Sequence, residues 1–150
     1  MNSVDQQYKE GSHPLEIGTF KNGFTIMGES QFIPGYCLYI PNGNYKQLDN
    51  VPMDLLAEMF KECTIVHNAI KIVYQPLRVN VCYLCNRGGD LMWHLHPRYA
   101  SEGENNVRPV WRPYTAEQMT SWGYEEGIHG GKRLELIATI QKLKLQYKIA

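Results

Sequence analysis

With 150 residues, 43% of them hydrophobic and 20% charged, the chain can close one ordinary core and still present a polar surface. Lys plus Arg and Asp plus Glu stand at 15 each, so overall charge gives no argument for nucleic acid or an acidic membrane as partner. No apolar run reaches the roughly 18 residues of a membrane span, and the first 14 residues lack the apolar centre of a signal peptide, so a cytoplasmic setting is expected.

Residues 1–14 read as a flexible tail. Residues 17–20 and 24–27 read as two strands around Lys21-Asn22-Gly23, since Asn-Gly supplies the positive φ angles of a tight hairpin. Pro34-Gly35 turns the chain into a short apolar strand over 36–40, closed by Pro41-Asn42-Gly43-Asn44. From Pro52 a long helix is predicted, with Leu56, Met59, Phe60, Cys63, Val66, Ile70 and Val73 forming its core-facing stripe. It stops before Pro76, because proline disfavours helix in the residue that precedes it.

Residues 77–84 and 91–97 read as antiparallel strands joined by Asn86-Arg87-Gly88-Gly89. Residues 100–113 are polar and irregular. Thr115-Ala116-Glu117-Gln118 has the capping-box pattern of a short helix. Gly127, Gly130 and Gly131 read as a flexible joint, and a last helix runs from about 132 with Leu134, Ile137, Ile140, Leu143 and Tyr147 on its apolar side. The order of elements predicts an α+β fold: an antiparallel sheet of about five strands, one long crossover helix and C-terminal helices. Residues 15–113 form the domain, and 114–150 a helical extension packed on it. Cys37, Cys63, Cys82 and Cys85 all sit in apolar segments, as buried free thiols do in a reducing compartment, and no second Cys or His pair completes a zinc site at Cys82-Tyr83-Leu84-Cys85.

The chemistry concentrates in Asp90-Leu91-Met92-Trp93-His94-Leu95-His96-Pro97-Arg98-Tyr99. Read with a period of two, Leu91, Trp93 and Leu95 point one way, and Asp90, Met92, His94 and His96 the other. Two imidazoles on one face can bind phosphate, move protons or bind metal. Asp90, His94 and His96 together are a ligand set known for zinc or iron. Arg87 with the N–H groups of Gly88 and Gly89 suits an anion.

These features, in order, resemble the histidine triad family of nucleotide hydrolases and transferases. The matching pieces are Pro34-Gly35-Tyr36-Cys37-Leu38-Tyr39-Ile40-Pro41, Leu48 ahead of the long helix, Val79-Asn80, Leu84-Cys85-Asn86, the Trp93 to Tyr99 run and Pro109-Val110-Trp111, across roughly residues 20–112. The family motif has three alternating histidines, then two residues and Pro-Arg, and its middle histidine attacks the α-phosphorus of a nucleotide. Counted back from Pro97-Arg98, and equally forward from Asn86, the three positions hold Asp90, Met92 and His94. A further family histidine matches Asn44. Met92 thus stands at the nucleophile position, and a thioether is a poor nucleophile toward phosphorus.

The resemblance implies a protein that binds a nucleotide or a phosphorylated small molecule without the covalent nucleotidyl-histidine chemistry. Two alternatives stand beside it: an active hydrolase or nucleotidyltransferase using His94 or His96, and a non-enzymatic interaction protein. Candidate catalytic residues are His94, His96 and Asp90. Candidate substrate-binding residues are Asn44, Asn80, Asn86, Arg87, Met92 and Arg98. His94 is expected to meet phosphate as imidazolium. No metal or other cofactor is expected, and the resemblance implies a symmetric homodimer with Trp111 or Trp122 as anchors.

Overall fold

The computed structural model describes residues 13–83 and 89–150. Five strands, β1 (Glu16–Thr19), β2 (Gly23–Met27), β3 (Cys37–Pro41), β4 (Arg78–Cys82) and β5 (Trp93–Arg98), form one antiparallel sheet in the order β1-β2-β3-β5-β4. Among the described residues three α-helices accompany it: α1 (Met53–Tyr74), α2 (Ala116–Thr120) and α3 (Glu126–Gln146). The fold class is therefore the one expected. None of the described helices is long and apolar enough to cross a membrane.

Local chemistry sets the main boundaries. Phe20 N–H donates to the Gly23 carbonyl at 2.7 Å and closes the first hairpin, but neither Asn22 nor Gly23 takes the expected positive φ. The bend falls at Lys21-Asn22, and Gly23 opens β2, where a Cβ would sit 2.5 Å from the Tyr39 hydroxyl oxygen. The helix α1 ends at Tyr74, and Gln75 leaves it in the left-handed region (φ 51°), immediately before Pro76. Thr115 caps α2: its Oγ1 accepts from Gln118 N–H at 3.1 Å, while Gln118 Oε1 accepts from Thr115 N–H at 2.8 Å.

One face of the sheet packs on α1, which in turn packs on α3. Tyr39 of β3 and Trp93 of β5 are register partners on that face, with their rings edge-on at 5.8 Å. The Tyr39 hydroxyl donates to Glu62 of α1 at 2.8 Å. Glu62 also accepts from the backbone and side chain of Asn22, so a buried carboxylate ties the first hairpin to the helix.

Several expectations are corrected. Phe60 is 58% exposed, because the buried side of α1 turns toward Glu62, Ile65 and Ala69. Gly127, Gly130 and Gly131 are no joint: they lie within α3, which buries Gly130, Leu136, Ile140 and Leu143 and leaves Leu134 and Tyr147 exposed. Packing on α1 and β1 outweighs the roughly 1 kcal/mol that each helical glycine costs. His13, assigned to the tail, is buried, with Nδ1 accepting from Leu15 N–H and Nε2 at 3.1 Å from Glu29. Residues 100–107 form short 3-10 turns broken at Gly103. Cys37 and Cys63 are buried free thiols and Cys82 is half-buried. Cys85 lies outside the described residues.

Candidate functional site

The sheet face turned away from α1 carries the chemistry. Along β5, Trp93 and Leu95 join the core, so His94 and His96 point the other way. Register places Leu38 and Cys82 beside His94, and Asn80 beside His96. Cys37 pairs with Leu95, so the residue before it, Tyr36, falls opposite His96. The Tyr36 ring stacks on His96 with centroids 4.7 Å apart and planes within 9°. Its hydroxyl lies 2.7 Å from His94 Nδ1. The two imidazoles are parallel within 4° at 5.8 Å, as neighbours on one strand face should be. Phe32 stands edge-on to Tyr36 and to Tyr114 and closes the stack.

Burial controls protonation here. His96 is only 4% exposed, and burial, reinforced by His94 and Arg98, holds its pKa down to about 3. Burial also lowers His94 below the ordinary histidine value. Without a ligand, both shifts favour the neutral imidazole at pH 7. Cys82 Sγ lies 3.7 Å from His96 Nδ1, and burial pushes the thiol up, so the pair is thiol and imidazole rather than thiolate and imidazolium.

The remaining predicted residues part company. Asp90 and Met92 precede β5 rather than lying in it: Leu91 N–H donates to the Tyr45 carbonyl, and Asp90 pairs with Lys46. The common face expected for Asp90, Met92, His94 and His96 therefore reduces to the two histidines. Met92 is half-buried and packs against the core. Among the described residues no group of three or more His, Cys, Asp and Glu side chains could hold a metal, so Asp90, His94 and His96 do not converge as a ligand set. Asn44 is exposed, in the segment that leads into Tyr45 and Lys46. Asn86 and Arg87 lie outside the described residues.

Arg98, a candidate ligand contact or partner of an acidic side chain, is an internal strut on Glu102. It is 1% exposed, and its five donors all have partners within the fold. Nε and Nη2 reach the Glu102 carboxylate, Nη1 reaches Asn80 Oδ1 and the Arg108 carbonyl, and Nη2 also reaches the Asn105 carbonyl. Asn80 is thereby oriented by Arg98, yet it still lines a cleft of about 490 Å³ with Arg78, Cys82, His96, Asn106, Arg108 and Trp111. Sequence reasoning missed Tyr36, Phe32, Arg78 and Arg108. Arg78 was readable, since it lies two residues from Asn80 on the same strand face; Tyr36 and Phe32 needed the pairing of β3 with β5.

No family model matches the chain, and no curated protein does. Solved structures do. A histidine triad protein from Bradyrhizobium japonicum superposes with a TM-score of 0.70 at 16% identity, covering 92% of this chain and 97% of that one. The chain has the histidine-triad fold. A histidine triad nucleotide-binding protein from Sulfolobus tokodaii matches at TM-score 0.69 and 17% identity, covering 92% of this chain and 91% of that one. A HIT-like protein involved in cell-cycle regulation from Bartonella henselae matches at 0.69 and 15%, covering 92% and 96%. On this histidine-triad frame, the described face presents two neutral imidazoles, a tyrosine stacked on them and a cleft edged by two arginines.

Proposed function

We propose that the protein binds a nucleotide or another phosphorylated small molecule on this face and does not form a covalent nucleotidyl-histidine. The observation that carries the reading is the cleft beside His96. Arg78 and Arg108 supply cationic forks that suit phosphate oxygens, Asn80 and Asn106 supply amides, and Trp111, 49% exposed, supplies a flat apolar surface for a ring. Among the described residues, Arg78 engages only its Nη1, with the Asn106 carbonyl and side chain, which leaves donors for a ligand. The nucleotide-binding histidine triad protein of the same fold supports the ligand class.

The lack of covalent chemistry rests on what surrounds the imidazoles. His96 is enclosed by Tyr36, Phe32 and Cys82 and is too buried to approach a phosphorus atom in line. His94 has Nδ1 engaged by Tyr36. Met92 has no group to attack with. Calorimetric titration with adenine and guanine nucleotides should give saturable binding; none at millimolar ligand overturns the proposal. Nucleoside phosphoramidates and dinucleoside polyphosphates should remain intact. Turnover that disappears in His94→Ala would instead make the protein an enzyme.

The functional unit is a homodimer in this reading. The strand β4 is an edge of the sheet; Val81 on it and Leu77 just before it expose apolar surface, as do Trp111 in the cleft wall and Trp122 just after α2. Light scattering should give twice the 17.3 kDa chain mass, and the chain mass itself at working concentration would refute the dimer.

A further inference from the structure

We infer that Tyr36 is a positioning residue that fixes His94 as its Nε2–H tautomer, so that this half-buried imidazole meets a ligand as a neutral hydrogen-bond donor. The ligand half of this statement rests on the binding function proposed above; the tautomer does not.

One proton lies between the Tyr36 oxygen and His94 Nδ1 at 2.7 Å. A neutral imidazole has one N–H and one bare nitrogen, and the bond made by one nitrogen decides the state of the other. A phenol O–H, with a pKa of roughly 10, is a stronger donor than a neutral imidazole N–H, and the bare imidazole nitrogen is a stronger acceptor than a phenol oxygen. The proton therefore belongs to Tyr36, Nδ1 accepts it, and the imidazole hydrogen resides on Nε2. Among the described residues Nε2 makes no hydrogen bond within the protein.

Tyr36 is built to stay in place. One face of its ring lies on His96, and Gly28 approaches the ring so closely that a Cβ there would sit 2.4 Å from Tyr36 Cδ2. Phe32 meets it edge-on at 5.4 Å. The Tyr36 carbonyl accepts from Gly28 N–H and from Gln31 Nε2, each at 2.8 Å. A hydroxyl on so confined a ring cannot swing away from His94 without moving the loop that carries it.

The contact has a chemical consequence. A nucleophile or general base needs a bare nitrogen lone pair. In this tautomer the Nδ1 lone pair is held by Tyr36, and Nε2 carries hydrogen. The same bond that aims the ring removes its covalent reactivity and leaves a donor for a phosphate oxygen.

Long-range proton–nitrogen correlation spectra of uniformly 15N-labelled protein near neutral pH test the inference without any ligand, with His94 assigned through His94→Asn. The wild type should show a bare Nδ1 and a protonated Nε2. Tyr36→Phe keeps the ring and removes the hydroxyl; His94 should then populate both tautomers, and affinity for adenosine monophosphate should fall roughly two- to tenfold, the range of a neutral hydrogen bond. A protonated Nδ1 in the wild type overturns the inference whether or not the variant folds. So does a tautomer pattern unchanged in a folded Tyr36→Phe. Failure of the wild type to bind adenosine monophosphate overturns the binding function alone.

Discussion

Replacing Arg98 by alanine tests how the histidine strand is joined to the wall of the cleft. Arg98 is 1% exposed and the Glu102 side chain 7%, so this ion pair is out of water on both sides. Without the guanidinium, Glu102 retains only the Tyr99 N–H at 2.8 Å and the Tyr114 hydroxyl at 3.0 Å, while Asn80 Oδ1 and the carbonyls of Asn105 and Arg108 each lose a donor. Breaking one side of a buried pair costs about 3–5 kcal/mol, because the other charge stays buried without compensation. In a chain of this size each kcal/mol lowers Tm by roughly 2–4 °C, so a fall of about 6–20 °C is expected. Urea unfolding followed by tryptophan fluorescence gives the free energy directly. Adding Glu102→Ala to Arg98→Ala should cost far less than the sum of the single changes, since the stranded carboxylate is then gone. Burial pushes the Glu102 carboxyl up, but hydrogen bonds from Arg98, Tyr99 and Tyr114 bring it, on balance, below the ordinary glutamate value. A depressed carboxylate contributes stability that is present above its unfolded pKa and lost as pH falls through the folded one. The cost of Arg98→Ala should therefore shrink in acid, below the ordinary glutamate range. A loss under about 1 kcal/mol at pH 7, the size of a surface substitution, would refute the strut.

Glu62 has the opposite sign: burial raises its pKa more than the bonds from Tyr39 and Asn22 lower it, so its contribution is full in acid and is lost as pH rises through the folded value. Glu62→Gln should accordingly gain on wild type in urea midpoint as pH rises above the ordinary glutamate range, and a pH-independent difference would contradict that. Gly28→Ala should destabilise by about 1–3 kcal/mol through overpacking against Tyr36, measured by thermal melting, and a neutral result would show that the ring has room to move. Trp111→Ala should weaken nucleotide binding by about 1–3 kcal/mol in calorimetry if a base stacks there, with unchanged affinity placing the base elsewhere.

Much of this molecule is legible from neighbours along the chain. Thr115 with Gln118 makes a cap and Pro76 ends a helix, because each acts through dihedral limits or bonds spanning a few residues; the hairpin at Asn22-Gly23 forms where expected, but without the positive φ angles that pair allows. The alternation Trp93-His94-Leu95-His96 likewise predicts two imidazoles on one face, since pleating is a property of any strand. Extending that alternation back to Asp90 and Met92 fails, because a strand persists only where a ladder holds it, and the ladder from β3 reaches Trp93 and no further. Which side of a helix is buried is also a matter for its partners: α1 buries Glu62 and exposes Phe60, and α3 runs through three glycines. The site itself depends most on tertiary structure. Tyr36 and His94 are 58 residues apart, and no local pattern sets the register of β3 against β5 that brings a hydroxyl to an imidazole nitrogen. Sequence alone determines which groups can titrate; the water excluded around them on folding decides that both histidines are neutral and that Arg98 faces inward.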